Sequence, residues 1–129
     1  MRALALAAIL LAAAPGAATA GNGLPAGTYA ASLSGKSPAF LNGAWRLTFA
    51  PGGRYTTEHP PGQVAARGRL VLSGGTVTFG KETGPVACTT AGRYRWTYAA
   101  GRLRFAAISD PCGGREIVLT ARPFRLVGG

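Results

Sequence analysis

Residues 93–108 read RYRWTYAAGRLRFAAI, and this stretch decides the fold class. From Arg93 to Tyr98, aromatic residues alternate with arginine and threonine. In the run from Arg102 to Ile108, the apolar residues Leu103 and Phe105 alternate with arginine. This period of two is typical of half-buried β-strands. The Ala-Ala-Gly segment between the two runs is short enough to be a hairpin turn. We therefore predict an antiparallel hairpin with one apolar face and one basic face.

The same alternation occurs along most of the chain, interrupted by turns rich in glycine and proline. It predicts eight strands, and it indicates no segment of helical period after the N-terminal region. The predicted strands are Thr28–Ser34, Ala44–Phe49, Arg54–Glu58, Val64–Leu72, Thr76–Phe79, Arg93–Tyr98, Arg102–Ile108 and Arg115–Phe124.

The composition supports an all-β domain. Among 129 residues there are 20 Gly and 9 Pro, which argues against a helical bundle. A single open sheet of eight strands would expose an apolar face and two edges, so the sheet should close into a barrel or fold into a sandwich. Because nearly every connection is hairpin-sized, we predict an antiparallel up-and-down barrel spanning residues 28–129.

The N-terminus has the three regions of a secretory signal peptide. Met1-Arg2 carries a positive charge, residues 3–14 form an apolar run, and Ala18-Thr19-Ala20 is a small-x-small cleavage site. The run is shorter than the roughly 20 residues that a membrane anchor needs. We predict a signal peptide over residues 1–20, a flexible segment over residues 21–27, no transmembrane anchor after cleavage, and a periplasmic or secreted mature protein.

The chain has two cysteines, Cys88 and Cys112. Since an exported protein meets an oxidising compartment, we predict that they form one disulfide joining the loop before the Arg93 strand to the loop before the last strand. A metal pair or a redox dithiol would be expected to show CxxC spacing, which these cysteines lack. We therefore predict neither a metal site nor a cofactor.

Gly43-Ala44-Trp45, followed by Leu47 and Phe49, resembles the G-x-W motif that opens a strand in lipocalins and other calycins. The wider run from Trp45 to Leu126 is similar to short lipocalin-like domains of exported bacterial proteins. The resemblance implies a barrel whose Trp45 closes one end by packing on an arginine near the last strand. Arg122 is the first candidate for that arginine and Arg125 the second, since a guanidinium can stack on an indole. The lipocalin T-D-Y motif and C-terminal helix are not found in the sequence.

Aromatic residues are concentrated on the faces that we predict to point inward. They could line a pocket for a small hydrophobic ligand at the barrel mouth, or they could simply fill a narrow barrel. Both alternatives stay open at the level of sequence. The candidate ligand-binding residues are Trp45, Tyr55, Tyr94, Trp96 and Phe105.

The chain is strongly basic, with 14 Lys and Arg against 4 Asp and Glu, and 12 of the 14 are arginine. Arginines alternate on outward positions of several predicted strands, including Arg67, Arg69, Arg93, Arg95 and Arg102. An anionic partner would explain why like charges that face each other are tolerated. The arginines are explained equally well by a solvated surface whose composition reflects the amino-acid usage of a GC-rich genome. Export disfavours nucleic acid, and leaves anionic cell-envelope polymers or lipid headgroups as partners.

Catalysis has little support in the sequence. His59 is the one histidine, and the spacing of Glu58 and Asp110 indicates neither a triad nor an acid/base pair with it. We expect a monomeric, non-enzymatic binding protein whose partner is a small hydrophobic ligand. The alternative is a protein-binding module, such as an inhibitor of an exported hydrolase acting through residues 21–27.

Overall fold

A computed structural model describes residues 19–21 and 23–129, which form ten strands, a short 3-10 helix and one α-helix. The predicted signal peptide lies outside these residues except for Thr19 and Ala20, which belong to the first strand. The elements are β1 (Thr19–Gly21), β2 (Leu24–Pro25), β3 (Gly27–Leu33), the 3-10 helix (Ala39–Leu41), β4 (Gly43–Ala50), β5 (Arg54–Glu58), β6 (Val64–Ser73), β7 (Thr76–Thr83), β8 (Gly92–Ala99), β9 (Arg102–Ser109), α1 (Gly113–Thr120) and β10 (Phe124–Gly128).

The strands β3 to β10 form a closed antiparallel barrel. Strands β3 to β9 pair in sequence order, and β10 pairs with both β9 and β3 to close the circle. Closure removes the exposed sheet edges that an eight-stranded open sheet would present. The predicted all-β, eight-stranded, up-and-down barrel is thus confirmed, and the fold is consistent with a lipocalin-like barrel.

The prediction for residues 115–124 was wrong. They do not form a strand, because the chain is helical over Gly113–Thr120 and the last strand begins only at Phe124. Residues 117, 119 and 121 satisfy a period of two, but the buried residues of the helix are Arg115, Val118 and Leu119, which follow the i, i+3, i+4 spacing of one helix face. Burial of that face against the barrel overrides the strand propensity of Ile117 and Val118.

Aromatic side chains fill the middle of the barrel. Phe79 lies at their centre, with ring centroids 5.0 Å from Tyr55 and 5.6 Å from both Tyr94 and Phe105. The ring of Phe79 makes interplanar angles of 80° with Tyr55, 89° with Tyr94 and 75° with Phe105. These angles correspond to the favourable edge-to-face arrangement. Phe49 extends the cluster from Phe79 to the other side of the barrel. An eight-stranded barrel is just wide enough for such packing.

The segment before β3 is packed on the barrel. Leu24 is fully buried in the same apolar core, and the carbonyl oxygen of Pro25 accepts a 2.8 Å hydrogen bond from the hydroxyl of Tyr29. Residues 24 and 25 therefore contact the barrel; the flexibility expected for residues 21–27 stays a prediction. No helix in the described part of the chain is long and apolar enough to cross a membrane.

The predicted disulfide between Cys88 and Cys112 is confirmed, with an S–S distance of 1.99 Å and Cα atoms 6.2 Å apart. Cys88 lies in the loop between β7 and β8, as predicted. Cys112 immediately precedes α1, because the segment expected to be the last strand is this helix. The disulfide thus ties the start of α1 to the barrel wall.

Candidate functional site at the helix-covered end

Helix α1 covers one end of the barrel, which we call the covered end. Val118 and Leu119 enter the apolar core there, so the helix is part of the core. The 3-10 helix contributes Leu41 to the same end, next to the start of β4. The covered end is therefore built from residues far apart in sequence.

A β-bulge in β7 determines which side chain faces this end. Arg67 pairs with Thr83 and Arg69 pairs with Gly80, so Lys81 and Glu82 together oppose the single residue Gly68. Lys81 has a φ of 53°, in the left-handed region. The extra residue reverses the alternation after Phe79, and as a result Lys81 is exposed and the side chain of Glu82 is only 4% exposed.

Arg115 of α1 reaches the two buried carboxylates at this end. Its Nε and Nη2 donate hydrogen bonds of 2.8 Å to Oδ2 and Oδ1 of Asp110, whose side chain is fully buried. Nη2 also donates to the carbonyl oxygen of Thr90 at 2.7 Å. Nη1 lies 3.2 Å from Oε2 of Glu82. A bidentate arginine–carboxylate pair of this kind has a fixed geometry, so it fixes α1 in position over the barrel.

The two carboxylates accept further hydrogen bonds. Tyr55 donates its hydroxyl to Glu82, and Tyr94 donates its hydroxyl to Asp110. The backbone N–H of Cys88 donates to Glu82 at 2.8 Å, and that of Cys112 donates to Asp110 at 2.9 Å. Buried charges are tolerated when they are paired and hydrogen-bonded in this way. We refer to Tyr55, Glu82, Tyr94, Asp110 and Arg115 as the buried polar cluster.

The cluster shifts the pKa values of its members. Burial alone would raise the pKa of Asp110, but hydrogen bonds from Arg115, Tyr94 and the Cys112 N–H outweigh it and hold that pKa below its ordinary value. Burial would lower the pKa of Arg115, and its interactions with Asp110 and Glu82 outweigh burial, so that pKa is raised. Both groups are therefore charged over a wider pH range than usual.

Two glycines provide the space that the cluster occupies. A Cβ at Gly68 would lie 2.6 Å from the hydroxyl oxygen of Tyr55, and a Cβ at Gly92 would lie 2.4 Å from Oδ2 of Asp110. Neither distance is compatible with a side chain. The positions of these glycines are therefore part of the site.

A small cavity of about 80 Å³ lies beside the cluster, between α1 and the barrel. Its lining is mostly apolar. Two residues at its rim, Phe40 and Val86, are 53% and 46% exposed although they are large and hydrophobic. The lining also includes Leu41, Trp45, Tyr55, Thr57, Ala65, Ala66, Phe79, Glu82, Cys88, Cys112, Gly114, Arg115, Val118 and Leu119.

One polar atom at the cavity is unusual. Nη1 of Arg115 is buried and makes no hydrogen bond, since its contact with Glu82 is an ion pair without the alignment of a hydrogen bond. An unsatisfied buried donor is costly. An acceptor atom that entered the cavity could complete its hydrogen bonding.

Trp45 forms one wall of the cavity and is held by two contacts. Its indole N–H donates a 2.8 Å hydrogen bond to the carbonyl oxygen of Leu41, and its ring stacks on the imidazole of His59 with centroids 4.0 Å apart and an interplanar angle of 2°. The ring nitrogens of His59 each lie 2.7 Å from a carbonyl oxygen, that of Ala44 and that of Phe40. His59 thus joins the rim residue Phe40 to the barrel.

The structure brings together only some of the residues singled out in the sequence. Trp45 and Tyr55 line the cavity, whereas Tyr94 and Phe105 belong to the packed interior, and Trp96 lies away from the cavity on β8. Trp45 has His59 as its ring partner. Arg122 is exposed between α1 and β10, so the structure does not place it against Trp45.

Sequence analysis did not identify Glu82 and Arg115 as site residues. If residues 113–120 are taken as a helix, Arg115 lies on the same face as Val118 and Leu119. This spacing was the one sequence feature that could have identified Arg115 as a buried residue. No comparable signal exists for Glu82, because its orientation depends on the bulge. Within residues 19–21 and 23–129, no group of three or more His, Cys, Asp and Glu side chains is arranged to hold a metal ion.

Comparisons with known proteins add no relative to this description: no family model, curated protein or solved structure matches the chain.

Proposed function

We propose that the protein binds a ligand at the covered end and holds an apolar end of that ligand in the cavity between α1 and the barrel. The observation that carries the proposal is the apolar cavity with Phe40 and Val86 exposed at its rim. Large hydrophobic side chains that surround a concave apolar surface are typical of binding sites.

The size of the cavity restricts the ligand. Typical ligand pockets are about 300–1,000 Å³, and an apolar cavity of about 150 Å³ holds benzene. At about 80 Å³, the cavity accepts a short alkyl group or part of a ring. The rest of the ligand would lie outside, against Phe40 and Val86.

Arg115 suggests a polar feature of the ligand. Arg115 lines the cavity, and its Nη1 is a buried donor without a hydrogen bond. A neutral carbonyl oxygen next to the apolar end would supply the missing acceptor, whereas a carboxylate would be repelled by Glu82 and Asp110. We therefore expect short-chain ketones to bind more tightly than carboxylates of similar size.

Tryptophan fluorescence tests this proposal. In a Trp96→Phe variant Trp45 is the one remaining tryptophan, so its emission reports on the cavity. We expect 2-hexanone and acetophenone to change this emission saturably, and hexanoate and benzoate to do so at higher concentration. The absence of a saturable change with all four compounds would exclude the proposed site.

A matched pair of glycine variants separates cavity binding from effects elsewhere. Gly114 lines the cavity and a Cβ there would meet only Leu41, at 3.9 Å, whereas Gly113 is exposed and a Cβ there would meet nothing within 4 Å. Gly114→Leu should fill the cavity and abolish the fluorescence change. Gly113→Leu should leave it intact. Equal effects of the two substitutions would contradict binding in the cavity.

A protein partner is a second candidate, favoured by the exposure of Phe40 and Val86. A single apolar side chain of the partner would then enter the cavity. The route through residues 21–27 has less support, since Leu24 is buried in the core and is not free to enter a partner's cleft. A Phe40→Ser/Val86→Ser variant should lose such a partner, and a truncation before residue 24 should retain it.

The proposed setting is outside the cytoplasm. The disulfide between Cys88 and Cys112 is stable in an oxidising compartment and supports this setting. N-terminal sequencing of the protein recovered from its native host would test it: a chain beginning at residue 21 is expected, and a chain that retains residues 1–20 would contradict export.

A further inference from the structure

Six exposed arginines cover one side of the barrel wall, away from the cavity. We call this surface the basic face. It comprises Arg93 and Arg95 on β8, Arg102 and Arg104 on β9, Arg122 in the segment before β10, and Arg125 on β10. The three strands are neighbours in the barrel, so the six side chains form one continuous surface.

The register of the strands brings like charges together. Arg102 lies directly opposite Arg125 in the pairing of β9 with β10. Like charges directly opposite each other destabilise a sheet. An anionic partner on this face would remove that repulsion.

The carboxylates of the protein do not neutralise the basic face. Of the four acidic residues, Glu82 and Asp110 are buried with Arg115. The other two are Glu58 and Glu116. In the described part of the chain every ion pair with a carboxylate involves Arg115, and none involves an arginine of the basic face. Its positive charge is therefore available to a partner.

Arg122 separates two open grooves on this surface. One groove is lined by Arg95, Arg104 and Arg122, by the hydroxyl residues Thr97 and Thr120, and by the aromatic residues Trp96 and Phe105. The other is lined by Arg102, Arg122 and Arg125 together with Ser32 and Ser34. Each groove thus offers three guanidinium groups. Thr97 adds a hydroxyl group to the first groove, where the Thr120 hydroxyl already donates to the carbonyl oxygen of Glu116, and Ser32 and Ser34 add two to the second. Guanidinium and hydroxyl groups are side-chain donors that commonly contact phosphate oxygens.

We propose that the basic face binds a linear polyanion that carries phosphate groups along its length, with successive phosphates in the two grooves. Arginine is suited to this role because its planar guanidinium can donate two parallel hydrogen bonds to one phosphate. A linear polymer can engage both grooves, and a single small anion cannot.

The surroundings of the face favour a polyanion without aromatic bases over single-stranded nucleic acid. Single-stranded nucleic acids are held by exposed aromatic rings on which bases stack. Trp96 and Phe105 line the first groove, but both are packed on the core. Among the large hydrophobic residues that are exposed in residues 23–129, the one aromatic residue is Phe40, and it lies at the covered end. The basic face is therefore suited to a polymer that is recognised through its charged backbone alone.

The experiment measures binding of inorganic polyphosphate to the mature protein by isothermal titration calorimetry at several salt concentrations. An Arg104→Gln/Arg122→Gln variant should bind about tenfold more weakly, and the slope of log affinity against log salt should become less steep by about two. The matched control is Arg54→Gln/Arg69→Gln. It removes the same charge from paired residues of β5 and β6, on the opposite side of the barrel, and should have a much smaller effect.

Equal losses in the two double variants would overturn the proposal, because binding would then depend on net charge alone. Tighter binding of dextran sulfate, single-stranded DNA or anionic phospholipid vesicles than of polyphosphate would also overturn it. The four substituted arginines lie outside the cavity, and Gly114 lies outside the basic face, so Gly114→Leu should bind polyphosphate normally. This result separates the inference from the proposed function at the covered end.

Discussion

The carboxylate of Asp110 occupies the place where a side chain at position 92 would lie, with Oδ2 and Cγ both 2.4 Å from the ideal Cβ position of Gly92. The buried polar cluster therefore depends on a residue that contributes no functional group to it. The same is true of Gly68, whose missing side chain leaves room for Tyr55 and for the carbonyl oxygen of Gly80.

Gly92→Ala should accordingly destabilise the protein. The methyl group would displace Asp110 from Arg115, and breaking a buried ion pair costs about 3–5 kcal/mol. Chemical denaturation measures the loss. Gly75→Ala is the control, since a Cβ there would meet nothing within 4 Å. A Gly92→Ala protein as stable as the Gly75→Ala protein would show that Asp110 can move without cost.

Asp110→Asn should lower stability at neutral pH by about 3 kcal/mol, because it leaves the buried charge of Arg115 without its bidentate partner. The folded protein holds the pKa of Asp110 below the ordinary value of 3.8. The stabilisation is therefore present above that value and is lost as the pH falls through the lower pKa of the folded state.

Thermal unfolding between pH 7 and pH 2 tests this dependence. The difference between wild type and Asp110→Asn should be constant down to about pH 4 and should then decrease. Glu116→Gln, in the first turn of α1, is the control and should cost less than about 1 kcal/mol. A wild-type advantage that grows on acidification would refute the assigned direction.

The barrel could be predicted from sequence because its strands are amphipathic and its connections are short. In residues 93–108 the aromatic residues and Leu103 mark the inward positions, and two-residue turns such as Ala100-Gly101 fix the pairing. The alternation within each of these strands is consistent with the closed barrel, so the alternation was sufficient to predict the fold. The disulfide followed from the count of two cysteines.

The covered end could not be predicted in the same way. Helix α1 has apolar residues that satisfy both periods, and only burial of Arg115, Val118 and Leu119 against the barrel selects the helix. The inward orientation of Glu82 depends on one extra residue in β7. The stacking of His59 on Trp45 joins the turn after β5 to β4, and the periodicity of the strands does not predict the position of a side chain in a turn.

Replacing Cys88 or Cys112 by serine should destabilise the protein by about 3.5 kcal/mol, the chain-entropy value for a loop closed by cysteines 24 residues apart. The backbone N–H groups of both residues also donate to the buried carboxylates, so movement of either loop weakens the cluster. Thermal unfolding with and without reductant measures the loss. Two free thiols in the denatured, unreduced protein would refute the disulfide.

Alkaline titration should show three tyrosines that remain protonated where an ordinary tyrosine ionises, near pH 10. Burial raises the pKa of Tyr29 to about 12, and neighbouring Tyr98 adds to the shift. Burial also raises the pKa values of Tyr55 and Tyr94, and hydrogen bonds to Glu82 and Asp110 raise them further.

Absorbance of tyrosinate measures this titration in the folded protein. Because the folded pKa values are raised, these tyrosines contribute stability below pH 10 that is lost as the pH rises through the folded values. Tyr29→Phe should remove one late-titrating group. Ionisation of all four tyrosines near pH 10, without unfolding, would contradict the burial of these hydroxyls.

Ala100→Asn should stabilise the protein by about 0.5–1 kcal/mol. Ala99 pairs with Arg102, so Ala100 and Gly101 form a two-residue hairpin loop, and both have positive φ values, 52° and 78°. Such a loop favours Asn-Gly, since asparagine adopts the left-handed conformation more readily than alanine. Equilibrium denaturation measures the gain, with Ala106→Asn on β9 as a control that should give none. An unchanged or lower stability of Ala100→Asn would mean that the strain at residue 100 is absent in solution.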